Sequence, residues 1–303
     1  MDYFLYISDI MKKVPILDIH QFHDHDTHEE FYANTLQNHI ETRHKDIALP
    51  HKHNFYLSVL FTHGSGTHEV DFTSYPVVPG ALFFLNPGQT HHWGLSSDTR
   101  GYIFFHTQAF YETHYSSHHI TDFPFFYSMH NSPMLQLEGD AYSDIRNMFN
   151  GLLFESEKEE QMKTLKLLSL MNLIYIESTR VYAKQNEGTV PVQNPYSVKF
   201  RQLEDFVEQH YKAQKSPAEY ASMLNISAKH LNRITQAVAG KTTSAVILDR
   251  VLLEAKKELL LQRNSFSQIA QSLGYEDYAY FSRLFKDKVG ETPSGFLARY
   301  RKG

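Results

Sequence analysis

A chain of 303 residues with 42% apolar content is long enough for two packed domains, each burying its own core. No run of eighteen apolar residues occurs, and in the amino-terminal MDYFLYISDIMKK the lysines follow the apolar stretch. Neither a membrane helix nor a secretory signal is therefore expected, and a cytoplasmic protein is. The absence of cysteine excludes disulfides, thiolate zinc sites and cysteine nucleophiles. The net charge of −5 hides an asymmetry. Residues 196–303 hold 17 Lys+Arg against 11 Asp+Glu, whereas the rest holds 12 against 23. A basic carboxy-terminal module on an acidic partner suits phosphate binding by one half only.

Residues 1 to about 45 are polar and histidine-rich and read as an arm, and 17 of the 19 histidines lie at or before His130. From Ala48 to about His106, FYLSVLF, HEVDFTSY, ALFFL and GYIFFH alternate with GSG, PVVPG and NPG, the strand-and-turn rhythm of a small β-barrel or sandwich. Residues 107–140 mix a short helix with loops. Asp140–Glu155 and Gln161–Ala183 read as helices. In the second, Leu165, Leu168, Asn172 and Ile176 mark a broad apolar face. Two readings of that face stand: packing on the barrel, or a dimer seam whose single Asn fixes register. Lys184–Pro195, KQNEGTVPVQNP, is a linker.

Everything after it reads as helical. Ser216-Pro217 opens a helix, with Glu219 placed to complete a capping box. Ala221 permits close helix approach, Asn225-Ile226 turns the chain, Ser227 caps the next helix, and Leu231 plugs the space between the two. After one long helix from Ser244 to about Gln262, the same logic returns with Ala270, Gly274, Asp277 and Phe281. SAKHLNRITQAVAGKTTS and DYAYFSRLFKDKVGETPS align without a gap at an offset of fifty, which pairs Arg233 with Arg283. Roughly nineteen helical residues span about 28 Å, near the ~34 Å between successive major-groove faces. Two helix-turn-helix units therefore sit on one rigid body. Their base-facing residues are Lys229, Asn232 and Arg233 in the first unit, and Tyr278, Ala279, Ser282 and Arg283 in the second. Arg matches guanine, Asn matches adenine, and Ala meets the thymine methyl. Lys286 and Lys288 suit phosphates.

The stretch from about Val198 to Arg301, above all AQSLGYEDYAYFSRLFKDKVGETPSGFLARYR, resembles the double helix-turn-helix domain of the AraC/XylS family of bacterial transcription regulators. The first unit departs from the family pattern at Thr235, where Phe is usual, and at Thr243, where Pro is usual. PGQTHHWG, following HKH at His51–His53, resembles the cupin-type sensor of the family's sugar-responsive members. The resemblance implies an α+β multidomain protein with a cupin-like β-barrel, flanking helices and an all-α domain whose two helix-turn-helix units are joined by a long helix. The expected domains are 1–140 for effector sensing, 141–183 for helical packing or dimerisation, 184–195 as linker and 196–303 for DNA binding.

It further implies a homodimer that binds duplex operator DNA, contacts RNA polymerase and activates transcription in response to a small molecule such as a sugar. Trp93 and Tyr102 would line the sugar, together with His51, His53 and His91; the alternative for the two aromatics is that they simply fill the core. Those three histidines also resemble the cupin metal triad. However, Asn54, Phe55, Tyr56, Leu57 and Ser58 fill the stretch where its glutamate belongs, so they are assigned to effector hydroxyls or carboxylates. No metal, cofactor or catalytic residue is expected. The competing classes are a metal-dependent cupin enzyme fused to a DNA-binding domain, and a regulator whose barrel binds no ligand.

Overall fold

The computed structural model describes residues 14–23, 30–44, 49–113, 119–185 and 194–302, the side chains of residues 301 and 302 excepted. The chain divides into two compact units, Pro15–Val192 and one that contains Gln193–Gly303. Among the described residues, no helix is long and apolar enough to cross a membrane.

The first unit is built on strands β1 (Ile16–Leu17), β2 (Phe31–Thr35), β3 (Lys52–His53), β4 (Tyr56–His63), β5 (Gly66–Val70), β6 (Thr73–Val77), β7 (Ala81–Leu85), β8 (His91–Leu95), β9 (Arg100–His106) and β10 (Met134–Gln136). Five strands form a sheet in the order β10-β7-β4-β9-β2, three form another in the order β6-β5-β8, and β1 pairs in parallel with β3. A lone antiparallel bridge, His51 to His91, ties the segment before β3 to the start of β8. The period of two divides the five-stranded sheet's side chains between two cores. Leu57, Val59, Phe61, Phe83, Ile103 and Phe105 pack with Val70, Val77 and Trp93 from the three-stranded sheet.

On the other face, Leu60, Leu82, Phe84 and Phe104 meet a helical layer. ALFFL is apolar without alternation because both faces of β7 are covered. After the short helices α1 (Leu36–Asn38), α2 (Gln108–Glu112) and α3 (Pro124–Tyr127), that layer is formed by α4 (Gly139–Ser156) and α5 (Lys163–Gln185). The sheet-facing reading of α5 holds for Leu167, Leu168, Met171, Ile174 and Tyr175, all buried in this core. Asn172 accepts a hydrogen bond from the Tyr111 hydroxyl at 3.0 Å, so its carbonyl is engaged within the unit. Leu165 and Leu173 remain 49% and 45% exposed.

The second unit contains α6 (Pro195–His210), α7 (Pro217–Met223), α8 (Ala228–Ala239), α9 (Thr243–Leu261), α10 (Phe266–Ser272), α11 (Tyr278–Val289) and α12 (Pro293–Lys302). Of the expected linker, Lys184 and Gln185 complete α5 and Asn194 and Pro195 open α6, while residues 186–193 lie outside the described residues. Ala221, Leu231, Ala270 and Phe281 are each at most 2% exposed, where the repeat logic puts them. Ser227 accepts from the His230 N–H and Asp277 from that of Ala279. The Ser216 capping box does not form. Gln214 Oε1 takes the Ser216 N–H at 2.9 Å and leaves Glu219 nothing to reach back to. A complete box stands instead at Ser265 and Gln268.

Helix α9 runs 19 residues and packs against α6, α7 and α8 of the first half and α10 and α12 of the second. Arg250 fixes it to α6: its guanidinium donates to both Glu208 oxygens and to Glu254, and lies 4.0 Å above the Tyr211 ring. A planar bidentate fork stacked on an aromatic ring is a task lysine does not perform.

The two turns differ in how they reach the left-handed region. Asn225 does so at φ 55° and Gly274 at φ 82°. A Cβ on Gly274 would stand 2.1 Å from the Lys212 carbonyl oxygen, so this position needs glycine on two counts. Gly274→Ala is expected to destabilise the unit by about 2 kcal/mol or more, counting left-handed strain and the clash. Asn225→Gly should change it by under about 1 kcal/mol. Urea unfolding followed by far-ultraviolet circular dichroism measures both.

Candidate functional site

The helices expected from the sequence to carry the base-facing residues are α8 and α11. Lys229, Arg233 and Gln236 on α8, and Ala279, Arg283 and Lys286 on α11, are all exposed. Spacings of four and three place each trio on one helical face. Tyr278 and Ser282 are half-buried, and the Tyr278 ring stacks on Phe266 at 6.2 Å, which commits part of that side chain to packing. Asn232 is exposed, yet its Oδ1 accepts the Thr243 N–H at 3.1 Å and so caps α9. Bidentate reading of adenine needs both ends of that amide, and one end is occupied here. Among the described residues, neither Arg233 nor Arg283 is in an ion pair, whereas Arg250 and Arg299 pair with Glu208, Glu254 and Glu291. Arg233 lies 5.7 Å from the Tyr196 ring. Lys288 meets Asp287 at 2.9 Å.

Sequence reasoning passed over Gln236, which the offset of fifty pairs with Lys286, and Tyr280, an aromatic 53% exposed on α11. The two departures from the family pattern touch each other. Thr235 and Thr243 are buried with hydroxyls 3.3 Å apart, a polar pair at the positions that Phe285 and Pro293 hold in the second unit.

In the first unit, His51, His53, His91 and Trp93 come together between the sheets, each at most 2% exposed. His53 Nε2 and His91 Nε2 stand 2.5 Å apart, His91 Nδ1 meets His68 Nε2 at 2.9 Å, and His51 Nδ1 donates to the Leu49 carbonyl at 2.8 Å. The His51 and His91 rings lie 4.2 Å apart, and Trp93 packs edge-on to His91 at 5.0 Å. Burial drives His53, His68 and His91 well below the ordinary imidazole value, His51 to about 3 and His44 to about 4, so the cluster is neutral near pH 7. Tyr102 is not among them. It lies out of phase with Ile103 and Phe105 on β9 and faces Phe149 of α4, its hydroxyl 3.5 Å from Asn150. His68, which the sequence reading left unassigned, shares its strand face with Val70, the alternation that could have found it.

Elsewhere in this unit a cleft of about 580 Å³ is open to solvent, lined by Tyr32, Asn34, Arg43, Phe110, Glu157 and Lys163 among others. Behind its wall, the Tyr32 hydroxyl hydrogen-bonds His39 Nδ1 at 3.0 Å. His39 packs edge-on to His44, and His44 to His51.

Residues 39–163 match the AraC-like ligand binding domain and residues 220–299 a helix-turn-helix domain. The chain is 22% identical to the uncharacterised HTH-type transcriptional regulator YfiF of Bacillus subtilis, covering 89% of this chain and 83% of that one. It is 20% identical to the arabinose operon regulatory protein of Escherichia coli (80% of each) and 23% identical to the transcriptional activator RhaS of Pectobacterium atrosepticum (84% and 89%). Among solved structures it is similar to ToxT from Vibrio cholerae, at 12% identity over 89% of this chain and 98% of that one, with a TM-score of 0.43. With a ligand-binding domain joined to a helix-turn-helix domain, and relatives that share both, the chain belongs to the AraC/XylS family of transcription regulators.

Proposed function

We propose that this regulator binds operator DNA as a homodimer through four recognition helices and activates transcription by contacting RNA polymerase in the cytoplasm, under control of a small polar effector such as a sugar. The observation that carries the reading is the pair of exposed arginines, Arg233 and Arg283, at one position of two repeated units flanking a 19-residue helix. A repeated cation on one compact unit supports a repeated contact, of the kind that successive major-groove faces of duplex DNA offer. Exposed Leu165 and Leu173, eight residues apart on α5, support a second copy covering that helix. For the effector we assign the open cleft. Aromatic faces from Tyr32 and Phe110 beside Asn34, Arg43 and Glu157 suit a hydroxyl-rich molecule, and the volume is that of a small-ligand site. The sealed imidazole cluster would admit an effector only after repacking.

Selection from random duplex DNA tests the reading. Enrichment of two short elements about 10–10.5 base pairs apart, present twice in one site for a homodimer, is the expected outcome. Recovery of no sequence preference, or of one uninterrupted short element, would remove the two-reader arrangement.

A further inference from the structure

We propose that His51, His53 and His91 form a buried site for a divalent transition metal of the zinc class, which ties β3 to β8 and holds the two sheets together. Each of the three offers a ring nitrogen, and these nitrogens all lie within 4.8 Å of one another. Three imidazole nitrogens on a tetrahedral zinc, at 2.0–2.1 Å bonds, stand about 3.3 Å apart, so sub-ångström shifts would seat the ion. The hydrogen bonds of His51 and His91 leave an Nε2 lone pair on each for a metal, while His53 Nδ1 has no hydrogen-bond partner among the described residues. His51 Nδ1 faces the Leu49 carbonyl and must carry its proton, which leaves Nε2 as the buried acceptor with no partner among the described residues.

His91 Nδ1 is held by His68 Nε2 at 2.9 Å, which directs His91 Nε2 toward His53. An outer partner on the far nitrogen of a ligand ring is how metal-binding histidines are oriented. His53 Nε2 and His91 Nε2 face each other at 2.5 Å, so this pair opens to about 3.3 Å when it takes the cation in place of the proton they share. His53 lies in β3, which pairs with β1, and His51 directly precedes that strand; His91 opens β8 of the three-stranded sheet, and a single backbone bridge joins His51 to His91. A metal there performs the cross-linking that a chain without cysteine lacks. Three histidines leave the fourth position of the tetrahedron to a non-protein donor such as water, and because all three imidazoles are at most 2% exposed, the role assigned is structural.

The test uses the full chain with the arm histidines His20, His23, His25 and His28 replaced by Gln, which removes adventitious chelation. After loading with zinc and exhaustive dialysis, about one equivalent per chain is expected to remain, with a raised thermal midpoint of Trp93 fluorescence. A content near zero overturns the proposal. His53→Gln and His91→Gln should each bring the content to near zero, and retention in either folded variant also overturns it. Cobalt(II) in the arm-substituted protein covers the case in which those variants do not fold. Intense four-coordinate visible bands support the site, and the weak spectrum of the hydrated ion overturns it.

Discussion

Arg283→Ala is expected to weaken binding to the selected operator 5- to 150-fold, about 1–3 kcal/mol, and to flatten the preference at one base pair. Arg250 and Arg299 are held by carboxylates, and their loss would be read as stability. Arg283 is exposed, outside any ion pair among the described residues, and sits one turn after Ala279 and one before Lys286 on the same face. Its five donors are therefore free for guanine O6 and N7. Arg233 should behave alike but less strongly, since part of its cation faces the Tyr196 ring. Were the two independent, the double replacement would cost about 2–6 kcal/mol. Lys286→Ala gives the contrasting signature: a uniform loss across sequences and a salt slope shallower by about 1. Footprinting and titration at several salt concentrations separate the cases. Affinity and sequence preference both unchanged in Arg283→Ala would show that the reading face lies elsewhere.

The DNA-binding unit was legible because each helix-turn-helix contact is local and occurs twice. Ala221 and Ala270, Leu231 and Phe281 announce their burial by spacing alone, and the structure buries all four. What stayed hidden there depends on competition for single polar atoms. Gln214 takes the amide that Ser216 and Glu219 would have shared, and the Asn232 carbonyl caps α9. Arg250 was invisible because Glu208 is 42 residues away in sequence. In the sensor unit, strand existence followed from texture, but strand phase did not. Whether Tyr102 faces the imidazoles or α4 hangs on one residue of register, and the GYIFFH run, covered on both faces, carries no polar alternation to set it. The gathering of His44, His51, His53, His68 and His91 arises from pairing between strands distant in sequence, beyond the reach of periodicity.

Acid should unfold the sensor unit well before neutral-pH stability would suggest. His106 on β9 is fully buried. Its Nδ1 donates to the Thr107 carbonyl at 2.9 Å, and its Nε2 accepts the Tyr175 hydroxyl at 2.7 Å. Burial lowers it to about 4, against 6.5 for the unfolded chain. The unfolded state therefore binds the proton first. The stabilisation is complete above pH 6.5 and is lost as pH falls from there toward 4. At pH 5 the loss from His106 is about 2 kcal/mol relative to pH 8, and His39, driven well below its ordinary value by burial, adds in the same direction.

Trp93 is the chain's only tryptophan and is 1% exposed within this unit, so its fluorescence follows the sensor unit alone. Urea titrations at pH 8, 6 and 5, in chelator so that no bound metal contributes, should show the midpoint falling with pH. His106→Gln, which keeps an acceptor for Tyr175 but cannot take up a proton, should start less stable and lose about 2 kcal/mol less over the same interval. An identical pH slope in wild type and His106→Gln would mean that the buried imidazole carries none of the acid sensitivity.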